Sequence, residues 1–166
     1  VGGPTTSRVI RGHNLVLGGQ TIAAPVVLLS TTAKGADADA SMSGNIGGGV
    51  LKRFVVTLDY EHNTLYLKPT AAPVTDLDTF DRSGVWFNQN DAGYTVVNVT
   101  KGGPSDQAGL KVDDQIVSVD GKPATSLPVY ELRERLRNEA PGTVVHFGVK
   151  RGGETKDVAV TLRDLI

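Results

Sequence analysis

Cysteine is absent from the 166-residue sequence. That excludes a disulfide framework, a thiol nucleophile and cysteine-ligated zinc. Aromatic residues are scarce at 5%, with a single Trp, so a core must rest mainly on aliphatic side chains. Neither charge sign is in excess: 17 Lys and Arg stand against 18 Asp and Glu, a net charge of −1. A protein that coats phosphates needs a basic stripe, so nucleic acid is not expected as a partner. Long hydrophobic runs are missing too. The longest, Ile22 to Leu29, contains Pro25 and falls far short of the roughly 18 residues of a membrane span. The sequence opens Val1-Gly2-Gly3, without an initiator Met or a charged-then-apolar leader, and reads as processed or as a piece of something longer.

What is present is turn-rich. The chain has 20 Gly and 8 Pro, and 39% of it is hydrophobic, which predicts a packed core, many turns and few long helices. At about 100–200 residues per domain the length allows one domain or two small ones. Asn14 to Leu17, Gly18-Gly19 and Gln20 to Ile22 read as strand, tight turn, strand. Val26 to Leu29 reads as a buried strand, and 33–45 as a loop. Val50 to Phe54 allows one helical turn, and Val55 to Tyr60 with Thr64 to Leu67 gives a hairpin. Small, uncharged, Pro-containing residues then mark 70–75 as a linker. The charge balance changes across it: residues 1–69 hold 6 basic and 4 acidic groups, residues 70–166 hold 11 and 14.

Beyond the linker, Val85 to Asn88 and Tyr94 to Val99 are predicted strands around Asp91-Ala92-Gly93. Pro104 to Leu110 is a helical turn and Gln115 to Val119 a strand. Ser126 to Asn138 is the one long helix, with Ser126 as its cap. Thr143 to Lys150 and Lys156 to Leu162 close the chain as two strands.

Chemistry-bearing motifs are few. The sequence has no Gly-x-Ser-x-Gly and no His-Glu-x-x-His. His13, His62 and His146 are far apart and read as structural. Gly44-Asn45-Ile46-Gly47-Gly48-Gly49 lacks the Lys-Ser/Thr of a phosphate loop. Asp37-Ala38-Asp39 lacks the further oxygen ligands of a calcium site. No metal site and no cofactor are expected.

In residues 1–69, Leu17-Gly18-Gly19, Gly44-Asn45-Ile46-Gly47, Val50-Leu51-Lys52-Arg53-Phe54 and Leu65-Tyr66-Leu67-Lys68-Pro69 occur in order. Together they resemble the C-terminal part of a bacterial retropepsin-like aspartic protease. The resemblance implies a partial acid-protease β-barrel. It does not supply a catalytic residue. The family's Asp-Thr/Ser-Gly is missing: Asp78-Thr79-Phe80 lacks the Gly, and Asp91-Ala92-Gly93 lacks the hydroxyl. No catalytic residue is therefore expected in this chain. An open half-barrel exposes strand edges, which makes a homodimer through this piece one expected assembly.

Residues 76–166 carry Gly84-Val85-Trp86-Phe87-Asn88, then Gly102-Gly103-Pro104-Ser105-Asp106-Gln107-Ala108-Gly109-Leu110. Asp114-Gln115-Ile116-Val117-Ser118-Val119-Asp120-Gly121 follows. This run resembles a bacterial PDZ domain, a small β-sandwich or barrel with one main helix. Asp113 and Trp86 depart from the usual pattern. The expected fold class is thus mostly β, of α+β type. The resemblance implies a site for peptide or protein C-termini. Backbone N–H groups of Val85, Trp86 and Phe87, after Gly84, form a nest for a carboxylate. The strand through Asn88 offers an edge, and Val129, Arg133 and Leu136 on the helix form the facing wall.

The whole reads as a C-terminal fragment of a bacterial aspartic endopeptidase, inactive by itself and periplasmic or secreted, whose PDZ domain binds C-termini. The alternative is a non-enzymatic peptide-binding adaptor. An accessory region of a serine protease is a third reading, for which this chain holds no nucleophile.

Overall fold

A computed structural model describes residues 7–31, 38–39, 41–71 and 78–166. The opening Gly2-Gly3, Asp37 and most of the expected 70–75 linker lie outside the described residues. The chain divides into two compact units, 1–79 with Ile166 and 80–165.

In the first unit, β1 (Ser7–Arg11) pairs antiparallel with β4 (Val26–Ser30), from Ser7↔Ser30 to Arg11↔Val26. Between them β2 (Asn14–Leu17) and β3 (Gln20–Ala23) form the expected hairpin. Its turn needs Gly18 and Gly19, whose φ of 56° and 77° lie in the left-handed region, as a two-residue hairpin turn requires. One helical turn, α1 (Gly48–Leu51), leads into β5 (Phe54–Asp59), which pairs with β6 (Thr64–Pro69). The Asp59 carboxylate fastens that turn by accepting the His62 N–H at 3.0 Å. Asp78 closes on Arg53 at 2.6 Å and gives its carbonyl to Arg11.

These six strands make three separate two-stranded sheets. The expected acid-protease barrel is corrected here. A barrel gives every strand two neighbours, and each strand among the described residues of this unit has one. Burial agrees. Ile22 is buried, whereas Val16, Leu28, Val55, Leu58, Leu65 and Tyr66 are all exposed.

The second unit has a core. β7 (Val85–Asn90), β8 (Gly93–Val99), β9 (Gln115–Val119), β11 (Val144–Arg151) and β12 (Glu154–Thr161) form one antiparallel sheet in the order β12-β11-β9-β8-β7, with β10 (Lys122–Pro123) on β9. Phe87, Tyr94, Val96, Ile116, Val145, Phe147 and Val160 bury their side chains in it, and α3 (Val129–Asn138) covers them with Leu132 and Leu136. A short helix α2 (Pro104–Gln107) begins at Pro104, a residue suited to a first helical turn. Gly93 is obligatory: its φ is 128°, and a Cβ there would lie 2.3 Å from the Ile116 carbonyl oxygen.

The main helix starts later than expected. Ser126 does not cap it. It ends a 3-10 turn, Ala124–Ser126, and donates its hydroxyl to the Pro123 carbonyl at 2.7 Å. Pro128 stands at the helix start instead. Its fixed φ suits a helix entrance, and it has no N–H to leave unsatisfied. Leu127, just before it, is held by the Tyr94 hydroxyl, which donates to its carbonyl.

Candidate functional site

β7 is the last strand in the order of its sheet, so among the described residues one of its edges faces no other strand. α3 lies along that edge. The Arg133 guanidinium donates to the Phe87 carbonyl at 2.8 Å, and the Val129 N–H donates to the Gln89 side-chain oxygen at 3.2 Å. Because backbone groups alternate sides along a strand, the Phe87 and Gln89 backbones both point toward α3. The result is a slot between one strand edge and one helix.

The loop at the head of the slot is built by a half-buried carboxylate. Asp81 accepts the N–H groups of Ser83 and Gly84 at 3.0 and 2.7 Å, and the Ser83 hydroxyl at 2.8 Å. Burial pushes the Asp81 carboxyl up from its ordinary pKa, against these hydrogen bonds. Gly84 has φ 69°, and its missing Cβ leaves room for Thr100 and Pro104. Arg82 ties the loop to the end of α3. Its N–H donates to the Leu136 carbonyl, and its guanidinium donates to the Arg137 and Glu139 carbonyls, at 3.0, 2.6 and 3.0 Å. Such donors satisfy carbonyls that a helix end leaves open.

The structure brings together the sequence-expected residues but divides their roles. Gly84 shapes the loop. The Val85 N–H donates to the Ser83 hydroxyl at 3.3 Å, so this member of the expected nest already has an acceptor. Trp86 sits where the β7–β8 register shifts, and its side chain is 54% exposed. Phe87 is 1% and Leu136 0% exposed. Both side chains are spent in the core, and Phe87 contributes its backbone to the slot. Asn88 is exposed and Val129 half-buried. Arg133 stands over the Trp86 ring, 3.9 Å from its centroid.

Sequence reasoning missed Asp81, Arg82 and Gln89. Asp81-Arg82-Ser83-Gly84 does contain a signal, an Asp two and three residues before N–H groups it can accept. A cavity of about 470 Å³ borders Asp120, Pro123 and Arg135 and shares no lining residue with the slot. Among the described residues, no cluster of three or more His, Asp or Glu is placed to hold a metal, and no helix is long and apolar enough to cross a membrane.

Comparison with known proteins gives this slot a context. The family model described as PDZ domain matches residues 83–162. A periplasmic pH-dependent serine endoprotease, DegQ of Escherichia coli, is 43% identical over 70 residues, covering 42% of this chain and 15% of the relative. Serine protease HTRA1 of Xenopus tropicalis is 33% identical over 79 residues, covering 48% and 16%. The crystal structure of a serine endoprotease from Yersinia pestis superposes with a TM-score of 0.48 and 27% identity, over 69% of this chain and 43% of that one. The chain thus spans about a sixth of the length of these curated relatives. They overturn the aspartic-peptidase reading of the sequence. The peptidases it resembles are of serine type, and the acid-protease resemblance of residues 1–69 is withdrawn together with the retropepsin class, while the PDZ match stands.

Proposed function

We propose that residues 80–165 bind extended peptides or protein C-termini, by adding the peptide as a strand to β7 in the slot facing α3. One observation carries this. The Phe87 carbonyl, on the open edge of a sheet, takes its donor from a side chain and not from a neighbouring strand. An edge of this kind is a template for a further strand. The peptide's terminal carboxylate lies at the loop after Gly84, where the N–H of Phe87 and the turned backbone favour an anion. Val129 is apolar and lines the wall, so the residue two before the terminus is apolar.

The relatives' names, serine endoproteases among them, support a role for such a module beside proteolysis. We infer that it recruits chain ends for a serine-type endoprotease working outside the cytoplasm, as the periplasmic relative does.

The test uses Trp86, the chain's one Trp. Matched free-acid and amidated peptides ending in an apolar residue are titrated into the 166-residue protein, and Trp fluorescence is followed. The expected affinity of the free acid is on the order of micromolar. Amidation removes a charge-assisted hydrogen bond and should weaken binding about tenfold or more. Equal affinities for the two would overturn the reading.

A further inference from the structure

The slot contains an unspent donor. Arg133 gives one terminal nitrogen to the Phe87 carbonyl, yet its Nε is buried and has no hydrogen-bond partner. A guanidinium with Nε and a terminal nitrogen side by side is the fork that matches a carboxylate. The bond it does make stands where a ligand must bind, because an added strand needs the Phe87 carbonyl for its own N–H. A peptide therefore displaces Arg133, and the displaced charge needs an acceptor.

The position of that acceptor follows from alternation. Phe87 turns its side chain into the core and Trp86 turns its own to solvent, at 1% and 54% exposure. Side chains of an added strand alternate in the same way. The last residue and the one two before it share the face of Val129, while the penultimate residue lies on the face of Trp86. That is where the Arg133 guanidinium sits, 3.9 Å from the Trp86 centroid and 6.0 Å from that of Phe87.

We propose that Arg133 is the specificity-determining residue of the slot, closing it on the Phe87 carbonyl when empty and selecting peptides whose penultimate residue is Asp or Glu. The proposal rests on the strand-addition reading above. Charge at Arg133 is held in place by the Trp86 face, and the carboxylate completes its unused Nε.

The test is a grid of four peptides, with Asp or Asn as the penultimate residue and a free or amidated terminus, titrated into the full chain. Wild type, Arg133→Met and Arg133→Lys are compared, each checked for native circular dichroism. Wild type should prefer the Asp free acid to the Asn free acid by about tenfold. Arg133→Met should abolish that preference while binding the Asn free acid at least as tightly as wild type, since the latch is gone. Arg133→Lys keeps the charge without the fork and should lose most of the preference, which keeps the test intact if the Met variant fails to fold. A preference that survives in Arg133→Met, or is absent in wild type, overturns the proposal. An acid-over-amide preference that collapses in Arg133→Met, with no Asp-over-Asn preference in wild type, assigns Arg133 to the terminal carboxylate and overturns it too. Failure of every free-acid peptide to bind any of the three proteins would instead remove the strand-addition reading itself.

Discussion

His146 shows how one side chain ties stability to pH. Its Nδ1 lies 2.7 Å from an Asp157 carboxylate oxygen. The hydrogen bond first, and the Asp157 charge second, raise its pKa above the ordinary value. A histidine whose folded pKa is raised contributes stability that is fully present below its unfolded pKa, about 6.5. That stability is lost as pH rises through the folded value. A titration of the imidazole by NMR should place its midpoint above the ordinary value, and Asp157→Asn should bring it down. A midpoint that ignores the substitution would refute the pairing. Asp114 has the opposite sign. Burial pushes its carboxyl up, but the Arg151 guanidinium at 2.6 Å and the Lys111 N–H at 2.8 Å outweigh burial and hold it below its usual range. Its contribution is present above the unfolded pKa and fails only in acid.

At the scale of elements, α3 is held to the sheet by two faces of different worth. Leu132 is fully buried, while Tyr130 is 61% exposed on the same helix. Leu132→Ala should cost about 2–5 kcal/mol. At roughly 4–8 °C per kcal/mol for a domain of 60–100 residues, that lowers the thermal midpoint by about 8–40 °C. Tyr130→Ala should leave the midpoint nearly unchanged. Equal shifts for the two would contradict the assignment of the helix faces.

Elements of this kind were legible where the signal was local. Gly18-Gly19 and Asp91-Ala92-Gly93 mark hairpins because their residues tolerate the turn backbone, and the buried spacing on α3 marks a helix. Its beginning was misread because a serine is a good cap in general, whereas here a 3-10 turn uses Ser126 and Pro128 takes the entrance. The pairing of β1 with β4 spans about twenty residues and leaves no local trace. The same holds for the slot. Glycine at 84 and the helix wall could be read from the chain. The Arg82 clasp, the Gln89 bridge and the Arg133 latch join residues about 40–55 positions apart, and only folding brings them together.

For the molecule as a whole, the two units differ in what could hold them. The second has a continuous core of buried side chains from Val85 to Leu162. Among the described residues of the first, the buried apolar side chains are Ile22 and Pro25, and two-stranded sheets are marginal by themselves. Amide hydrogen exchange on the intact chain should therefore show strong protection in β8, β9 and β11 and much weaker protection in β2, β3, β5 and β6. Equal protection in a monomeric sample would show that the first unit has stability its described contacts do not explain. The motif string of residues 1–69 matched a known order of short segments, but order along a chain does not establish a closed sheet, and the structure shows separate pairs.

The two anchors of α3 have a kinetic consequence. Tyr94 fixes the carbonyl of Leu127 at its entrance, and Arg82 fixes three carbonyls at its exit. The slot has a set width, and what moves is one side chain. Displacing it swings one side chain and moves neither the strand nor the helix, a far smaller step than docking a peptide. Unlatching therefore does not limit the rate of association, which should fall in the ordinary range for docking on a rigid surface, about 10⁵–10⁷ M⁻¹s⁻¹. Peptides that suit Arg133 and peptides that do not would arrive equally often, and discrimination between them would lie in residence time.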